Sequence, residues 1–474
     1  MTARVFDLIV IGAGAIGENV ADRAVQGGLT AALIEAELVG GECSYWACMP
    51  SKGLLRAGTV LRAAADVDGA KQAITGALDP LGVLRRRDAI VHDWDDTSQV
   101  SWVKGAGIEL FRGHARFTGP KALAVTAADG TVTELRASHA ITVSTGSAAV
   151  LPAIPGLRDA APWTSREATS VKQVPASLAI IGGGVVGCEM ATAYASMGCA
   201  VTLLSRGPLL GHLEPFAGEA VHSSLERLGV TVKIGAQAAS VHRTGDRVVV
   251  ELDEGSTVTA EQLLVAIGRT PRTDDLGLET IGLTPGDWLA VDDTMRVEGF
   301  DWLYATGDVN HRALFTHQGK YQARAAGDVI AARALGQPVD DAPWGRHVAT
   351  ADARAVPQVT FTDPEVASVG LTASAAAKAG YDIRVIDYDL GWLAGASALA
   401  DHYEGQVRAV IDSAREVLIG VTFVGPGVSE MLQAATIAIV GEVPLKRLWH
   451  AVPAYPTLNE VWLRVLETDG RATA

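Results

Sequence analysis

The sequence predicts an α/β protein with two Rossmann-like dinucleotide-binding domains, followed by a C-terminal α+β region. The pattern Gly-x-Gly-x-x-Gly occurs twice, at residues 12–17 and 182–187, each time directly after a short apolar run. A glycine-rich turn between a strand and a helix is typical of nucleotide binding in doubly wound domains. After residue 350, strand-like and helix-like runs alternate, which predicts the separate α+β region.

Composition narrows the class of protein and its partners. A chain of 474 residues has room for two to four domains, and its 48% apolar content is that of an ordinary globular enzyme. The net charge of −15 argues against nucleic acid and anionic membranes as partners. No apolar stretch approaches the ~18 residues that a membrane span needs. Because residues 5–11 read as a first strand and not as a signal peptide, we expect a cytoplasmic protein.

The first glycine motif has the context that dinucleotide binding requires. An apolar strand precedes it, a helical pattern continues to about Gln26, and a short strand from Thr30 to Ile34 ends in an acidic residue. Glycines let the backbone approach a pyrophosphate at a helix N-terminus, and the acid accepts a hydrogen bond from a ribose hydroxyl. The predicted ligand-binding residues of this unit are Gly12, Gly14, Gly17 and Glu35.

Cys43 and Cys48 form a closely spaced pair just past this unit's second strand. In a cytosolic protein such a pair indicates redox catalysis or metal binding, because structural disulfides are rare there. A structural zinc site needs four ligands, usually as two close pairs, and Cys188 and Cys199 lie far along the chain. A redox disulfide is therefore favoured over a metal site or inert thiols. Residues five apart do not share a helix face, so we expect a distorted helical turn, with a thiolate whose pKa is lowered by the helix N-terminus.

The second glycine motif follows an apolar strand that begins at Leu178, and its glycines are Gly182, Gly184 and Gly187. The next strand ends in Ser205 and Arg206, where an NAD site usually has an acid for the ribose 2′-hydroxyl. Absence of that carboxylate removes repulsion against a 2′-phosphate, and Arg206 would pair with the phosphate. The alternative is that Arg206 is an ordinary surface residue. We expect NADPH in preference to NADH.

Together these motifs resemble the flavoprotein disulfide reductases, the family of dihydrolipoamide dehydrogenase, glutathione reductase and mercuric reductase. The likeness is carried by residues 41–52, Gly-Glu-Cys-Ser-Tyr-Trp-Ala-Cys-Met-Pro-Ser-Lys, by the two glycine motifs, and by turns such as Thr306-Gly307-Asp308. It covers nearly the whole chain. It implies an FAD-binding domain from residues 1–150 and 275–345, an NAD(P)-binding domain from residues 151–274, and an interface domain from residues 346–474. It also implies a homodimer whose subunits share each active site.

The resemblance assigns roles to particular residues. It implies that Cys48 faces the flavin, that Cys43 exchanges with substrate, and that Lys52 beside the flavin pairs with Glu189. His317 has two readings, as a core or flavin contact or as an acid–base group. By resemblance, further cofactor contacts lie at Thr145, Gly146, Asp308, His317 and Gly268.

One segment departs from the family pattern. Thiol-disulfide members have His-Pro-Thr with a Glu three residues later, and the His is the acid–base group. Here Tyr455 takes the His position, and Glu460 keeps the place of the acid. A phenol titrates near pH ~10 and does not readily accept a proton from a dithiol at neutral pH. Efficient dihydrolipoamide oxidation is therefore not expected.

Mercuric reductases also carry Tyr at this position, but they add a C-terminal cysteine pair. No cysteine follows Cys199 in this sequence, so efficient mercuric ion reduction is not expected either. The leading hypothesis is electron transfer from NADPH through FAD to Cys43–Cys48, and on to a small disulfide or related acceptor. A quinone or dye reductase that works directly from the flavin is the first alternative. A lipoyl-complex component or a non-catalytic redox sensor is the second.

Overall fold

The computed structural model describes residues 3–471. Its strands are β1 (Arg4–Ile11), β2 (Ala31–Glu35), β3 (Glu109–Arg112), β4 (His114–Gly119), β5 (Ala122–Thr126), β6 (Val132–Val143), β7 (Ser147–Ala149), β8 (Ser177–Ile181), β9 (Ala200–Ser205), β10 (Thr231–Ile234), β11 (Ala238–Thr244), β12 (Arg247–Leu252), β13 (Thr257–Ala260), β14 (Gln262–Val265), β15 (Arg269–Pro271), β16 (Leu303–Ala305), β17 (Gln358–Thr360), β18 (Glu365–Gly370), β19 (Ile383–Asp389), β20 (Gln406–Asp412) and β21 (Val417–Gly425). Its helices are α1 (Gly17–Gln26), α2 (Gly41–Tyr45), α3 (Cys48–Ala65), α4 (Pro80–Ile90), α5 (Thr97–Gly105), α6 (Ser165–Ser170), α7 (Val185–Ser196), α8 (Pro215–Arg227), α9 (Thr316–Ala334), α10 (Ala373–Lys378), α11 (Ala394–Leu399), α12 (Leu432–Val440), α13 (Leu445–Leu448) and α14 (Val461–Arg471).

The chain divides into two compact units, each formed by three separate stretches. Unit 1 consists of Met1–Pro50, Asp88–Val150 and Gly268–Ala353. Unit 2 consists of Ser51–Arg87, Leu151–Ile267 and Arg354–Ala474. The assignment of an FAD, an NAD(P) and an interface domain to parts of this chain stays a prediction.

Unit 1 is organised around a mixed sheet with the strand order β3-β2-β1-β6-β5-β4, and β16 pairs with β6. The pairings of β1 with β2 and β6 are parallel, whereas β5 is antiparallel to both β4 and β6. Along β1, Leu8 and Val10 enter one apolar core while Ile9 and Ile11 enter another. Because successive side chains point to opposite faces, this strand is buried on both sides, as in a doubly wound sheet.

Helices α1 and α9 cover one face of this sheet. Val20 and Ala24 of α1 lie in the same apolar core as Ala323 and Ile330 of α9. The two helix axes approach closely because small residues line the contact: a Cβ atom added to Gly327 would lie 2.5 Å from the Cβ of Arg23. Helix α1, which follows the first glycine motif, is therefore packed tightly against α9.

Unit 2 contains a parallel sheet of order β10-β9-β8-β14. Leu178 and Ile180 of β8 pack into a core that includes α7 residues, whereas Ala179 packs with Val248 and Val250 of the antiparallel sheet β11-β12-β13. The C-terminal part of unit 2 is an antiparallel sheet of order β17-β18-β21-β20-β19, with α12 and α14 contributing to its core. The predicted fold class is confirmed. The sequence pattern did not single out β18 or β19, which are two of the five strands of that last sheet.

Candidate active site

The redox segment of unit 1 is two helices, not one. Helix α2 ends at Tyr45, Trp46 has a non-helical backbone with φ −138° and ψ 1°, and α3 begins at Cys48. A continuous helix would turn residues five apart away from each other. The break instead allows Cys43 and Cys48, both in the thiol form, to make a hydrogen bond. The predicted distortion is present, and it is what brings the two sulfur atoms together.

Thr316, the first residue of α9, lies against both sulfur atoms. Its hydroxyl is 3.5 Å from the sulfur of Cys48 and also hydrogen bonds with Cys43. Thr316 was not predicted as a site residue, although its neighbour His317 was. No pattern along the chain would indicate a contact between residues so far apart in sequence.

The pKa of the Cys43 thiol is raised above its usual value. The main cause is its hydrogen bond to Cys48, and burial adds to the effect, while Thr316 and the charge of Lys320 oppose it. The sequence led us to expect a lowered thiol pKa, and for Cys43 that expectation was wrong. Cys43 lies in a helix of five residues rather than at the start of α3, so the dipole of a long helix does not favour its thiolate.

Glu42, which precedes Cys43, is bound by two arginines of the same unit. Its carboxylate accepts a hydrogen bond of 3.3 Å from Arg272 and lies 3.8 Å from Arg269. Arg269 in turn lies 3.6 Å from the carboxylate of Asp308 and donates to Ser147. This network connects the residue before Cys43 to the Thr-Gly-Asp turn, and it was not predicted from the sequence.

Lys52 and Glu189 of unit 2 form the predicted ion pair. The Lys52 amine donates to both carboxylate oxygens of Glu189, at 2.8 and 3.0 Å. Glu189 also accepts a 2.9 Å hydrogen bond from the backbone N–H of Phe361, and the Lys52 amine lies 4.6 Å from the centre of the Phe361 ring. With every polar group satisfied, this buried carboxylate keeps a fixed position. The catalytic role of the pair stays a prediction.

The first glycine motif has the shape of a phosphate cradle. Gly12 has φ +98°, and an added Cβ would lie 2.5 Å from the carbonyl oxygen of Ser144. A Cβ on Gly17 would lie 1.9 Å from the Gly12 carbonyl oxygen. At the end of β2, the Glu35 carboxylate accepts hydrogen bonds from the backbone N–H groups of Ala13 and Glu37, and burial raises its pKa. A glycine-lined turn with a buried acid at the end of the second strand fits the adenosine diphosphate part of FAD.

The other predicted flavin contacts lie in unit 1 as well. The Thr145 hydroxyl donates to the Arg272 carbonyl oxygen at 2.7 Å, and Gly146 follows with φ +72°. Asp308 accepts a hydrogen bond from Ser147 at 2.5 Å. His317 is exposed and its ring stacks on Phe315 with 5.4 Å between ring centres, so it is not a core residue. Its predicted role as a flavin contact stays a prediction.

The second glycine motif repeats this geometry in unit 2. Gly182 has φ +126°, and a Cβ there would lie 2.2 Å from the Ala266 carbonyl oxygen. Ser205 is buried, donates to the Gly207 carbonyl oxygen at 2.7 Å, and its hydroxyl faces Gly183. Arg206 is exposed. This cradle fits a pyridine dinucleotide. The other two glycines of the motif are Gly184 and Gly187, whereas Gly268, a further predicted cofactor contact, lies in unit 1.

Cys188 and Cys199 are core residues, as expected. Both are buried, and burial raises the pKa of each thiol to about 12. A thiol of that kind is protonated at neutral pH and unreactive. Within residues 3–471, no group of three or more His, Cys, Asp or Glu side chains is arranged to hold a metal ion.

The segment that departs from the family pattern lies in unit 2. Tyr455 is 76% exposed, whereas Glu460 is buried and its Oε2 atom has no hydrogen-bond partner in the part of the chain that the structure describes. The Glu460 Oε2 atom therefore accepts no hydrogen bond from Tyr455.

Comparison with known proteins agrees with the geometry. Residues 6–328 match the model of the pyridine nucleotide-disulphide oxidoreductases, and residues 356–465 match the dimerisation domain of the same proteins. A mercuric reductase from Staphylococcus aureus is 30% identical over 463 residues, which are 96% of this chain and 81% of that protein. A dihydrolipoyl dehydrogenase from Halobacterium salinarum is 33% identical over 485 residues, covering 97% of this chain and 95% of that protein.

A solved structure supports the fold independently. The Cu(II) complex of the HOCl-induced flavoprotein disulfide reductase RclA from Escherichia coli superimposes with a TM-score of 0.84. It is 22% identical and covers 99% of this chain and 100% of that one. None of the helices within residues 3–471 is both long and apolar enough to cross a lipid bilayer. The chain belongs to the pyridine nucleotide-disulphide oxidoreductase family, whose members act with FAD and a pyridine nucleotide.

Proposed function

We propose that this protein is an NADPH-dependent disulfide reductase. FAD bound at the first glycine motif supplies the step that links a two-electron hydride donor to a pair of thiols. The observation that carries the proposal is the contact between Cys43 and Cys48 across the break between α2 and α3. Two thiols that touch can be oxidised to a disulfide and reduced again without large movement of the backbone.

In the proposed thiol–disulfide exchange, Cys43 and Cys48 have different roles. The sulfur of Cys43 attacks a substrate disulfide, forms a mixed disulfide, and displaces the first substrate thiolate. Cys48 then attacks Cys43, restores the Cys43–Cys48 bond, and displaces the second thiolate. Two electrons pass from the dithiol to the substrate, and the two thiol protons leave with its two sulfur atoms. Lys52, which Glu189 holds in place, would bring a basic side chain to bound FAD.

The preference for NADPH rests on the end of β9. Ser205 offers no negative charge to a 2′-phosphate, and the exposed Arg206 would pair with one. A carboxylate at this place would repel the phosphate.

The proposed assembly is a cytoplasmic homodimer with a shared active site. The match to a dimerisation domain supports it, and so do large exposed apolar side chains in the same region. Trp392 is 75% exposed and Val452 is 84% exposed. Apolar surface of that kind is typical of an interface. In such a dimer Tyr455 would face the substrate of the other subunit.

A second candidate function is quinone or dye reduction directly from the flavin. It is favoured by the exposed Tyr455 in place of a histidine, because quinones need no acid–base group matched to a thiol. The two functions differ in their need for Cys43. Anaerobic titration with NADPH, followed by alkylation and mass counting, tests the leading one: we expect two new reactive thiols per chain. Reduced flavin with the cysteines still joined would overturn it.

A further inference from the structure

The loop before α5 has an unusual backbone. His92, Asp93 and Trp94 are consecutive residues with φ of +51°, +51° and +59°, all in the left-handed region. That region is unfavourable for residues that carry a Cβ atom, and residues in it normally occur singly. A strained backbone of this kind persists only where surrounding contacts hold it, and it is found mainly at functional sites. In this loop the side-chain contacts lie on the segment that carries Cys43.

Trp94 binds the C-terminal end of α2. Its indole N–H donates a 3.2 Å hydrogen bond to the carbonyl oxygen of Tyr45, the last residue of that helix. Carbonyl groups in the last turn of a helix have no partner within the helix, so an outside donor satisfies one of them here. Trp46, which breaks the path from α2 to α3, follows directly. Trp94 therefore fixes the chain beside the break that separates the two cysteines.

Asp96 of the same loop binds the other end of this segment. Its carboxylate accepts a 2.7 Å hydrogen bond from the backbone N–H of Val39, shortly before α2 begins. Asp96 is itself held by an ion pair with Arg112 and is only 14% exposed. The buried Tyr45 side chain closes the segment on itself, because its hydroxyl donates to the Val39 carbonyl oxygen at 3.1 Å. One short loop thus binds the Cys43 segment at both ends.

We propose that Trp94 and Asp96 are positioning residues that hold α2 so that the Cys43 sulfur faces Cys48 across the break. The inference rests on the proposed function and deepens it, because a disulfide closes only when its two sulfur atoms come within bonding reach. Helix α2 has five residues, which is too short for a helix to be stable by itself. Sulfur atoms held in contact react as if they were highly concentrated, and a loosely held α2 would lower that effective concentration.

The test is the equilibrium between dithiothreitol and the cysteine pair in the FAD-loaded protein, without NADPH. Oxidised dithiothreitol takes two electrons and two protons from the two thiols as the protein disulfide closes, and reduced dithiothreitol reverses the reaction. Mixtures of the two forms are equilibrated anaerobically, free thiols are alkylated, and the closed fraction of Cys43–Cys48 is measured by mass spectrometry.

Trp94→Phe keeps an aromatic ring and loses the N–H that binds Tyr45. We expect it to lower the equilibrium constant for closing the disulfide by about tenfold, or about 30 mV. A residue that only stabilised the fold would change the free energy of unfolding and leave this constant as it is. Trp102→Phe is the matched control with an unchanged constant, because Trp102 is an exposed tryptophan of α5 in the same unit.

The two replacements of Asp96 test the other end of the segment. Asp96→Asn keeps an oxygen that accepts from the Val39 N–H and should retain the wild-type constant. Asp96→Leu removes the acceptor and should lower the constant by about tenfold, the value of one hydrogen bond to a charged group.

A wild-type constant in Trp94→Phe, at normal flavin content, overturns the inference. If Trp94→Phe does not fold, the Asp96 variants decide, and equal constants in Asp96→Leu and Asp96→Asn overturn it. Failure of NADPH to open the disulfide would contradict the proposed function without changing this constant, because the reductant in the test is dithiothreitol. Failure of the proposed function and failure of this inference are therefore separate results.

Discussion

The Lys52 amine lies 2.8 Å from one Glu189 oxygen and 3.0 Å from the other, although the two residues are 137 positions apart in the sequence. The Lys52 side chain is 35% exposed and that of Glu189 is 5% exposed. Removing one partner leaves the other charge poorly solvated, which costs more than loss of the attraction alone.

We therefore expect Lys52→Met to lower the free energy of unfolding by about 1–3 kcal/mol, a range reduced because Lys52 is partly exposed. Urea denaturation measures it. The double variant Lys52→Met/Glu189→Gln should recover part of the loss. Arg85→Met breaks an exposed pair with Asp79 and is the control, with an expected change within about 0.5 kcal/mol. Equal losses of unfolding free energy in Lys52→Met and Arg85→Met would contradict the interpretation that Lys52 and Glu189 form a buried pair.

Replacement of Cys43 separates the two candidate functions. Cys43→Ser should lower disulfide reduction by roughly 10³-fold or more, because the attacking sulfur is lost. Quinone reduction from the flavin should persist in the same variant. Cys199→Ala, which removes a buried thiol outside the redox pair, should keep both activities. Steady-state assays with NADPH and each acceptor give the comparison, and full disulfide turnover by Cys43→Ser would rule out the proposed exchange.

The nucleotide preference should reverse when a carboxylate is placed at the end of β9. We expect Ser205→Asp to lower kcat/KM for NADPH by about 10- to 100-fold, or ~1.4–2.7 kcal/mol, through repulsion of the 2′-phosphate. The value for NADH should change little. Ser205→Asn has a similar shape without the charge and should keep the NADPH preference. If both variants lose NADPH activity equally, the size of the side chain and not its charge is responsible.

A histidine in place of Tyr455 should restore dithiol oxidation. Tyr455→His supplies a base that titrates near pH ~6.5, and general base catalysis contributes roughly 10²–10⁴-fold. We expect dihydrolipoamide oxidation to rise by about 10²-fold, with a new inflection in its pH profile. Tyr455→Phe controls for loss of the phenol. An unchanged rate in Tyr455→His would indicate that the missing base is not what limits this reaction.

Glu18 should make the stability of the fold dependent on pH. Its folded pKa of about 7 lies above the ordinary value of 4.5, so its favourable contribution is present below about pH 4.5 and is lost as the pH rises through 7. Glu18→Gln does not ionise and should be more stable than the wild type at pH ~8, by about 3 kcal/mol relative to the difference at pH ~4. Glu298→Gln, at an exposed site, should show no such trend in urea denaturation.

The sequence predicted the parts of the site that have a local signature. Both glycine motifs, the cysteine pair and the Lys52–Glu189 pair were found because each lies in a recognisable run of residues. The contacts of Thr316 with the cysteines were not predicted, and neither was the hydrogen bond between Glu42 and Arg272. These pairs come together only when separate stretches of unit 1 pack, and no periodicity along the chain marks them.

The direction of the Cys43 pKa shift could not be predicted from the sequence either. A cysteine near a predicted helix start suggested an acidic thiol, but the shift depends first on the neighbouring sulfur and then on burial. Both are properties of the folded arrangement. Strands β18 and β19 were also not predicted, although β17, β20 and β21 of the same antiparallel sheet were.

The joint at Trp46 makes the number of residues between the cysteines part of the chemistry. An inserted residue would turn α3 by ~100° relative to α2 and point the two sulfur atoms in different directions, while each helix stayed intact. A protein altered in this way would keep its fold and its bound flavin, but its two thiols would no longer hydrogen bond and would titrate independently. The spacing of the two cysteines along the chain is therefore as necessary for disulfide formation as the sulfur atoms themselves.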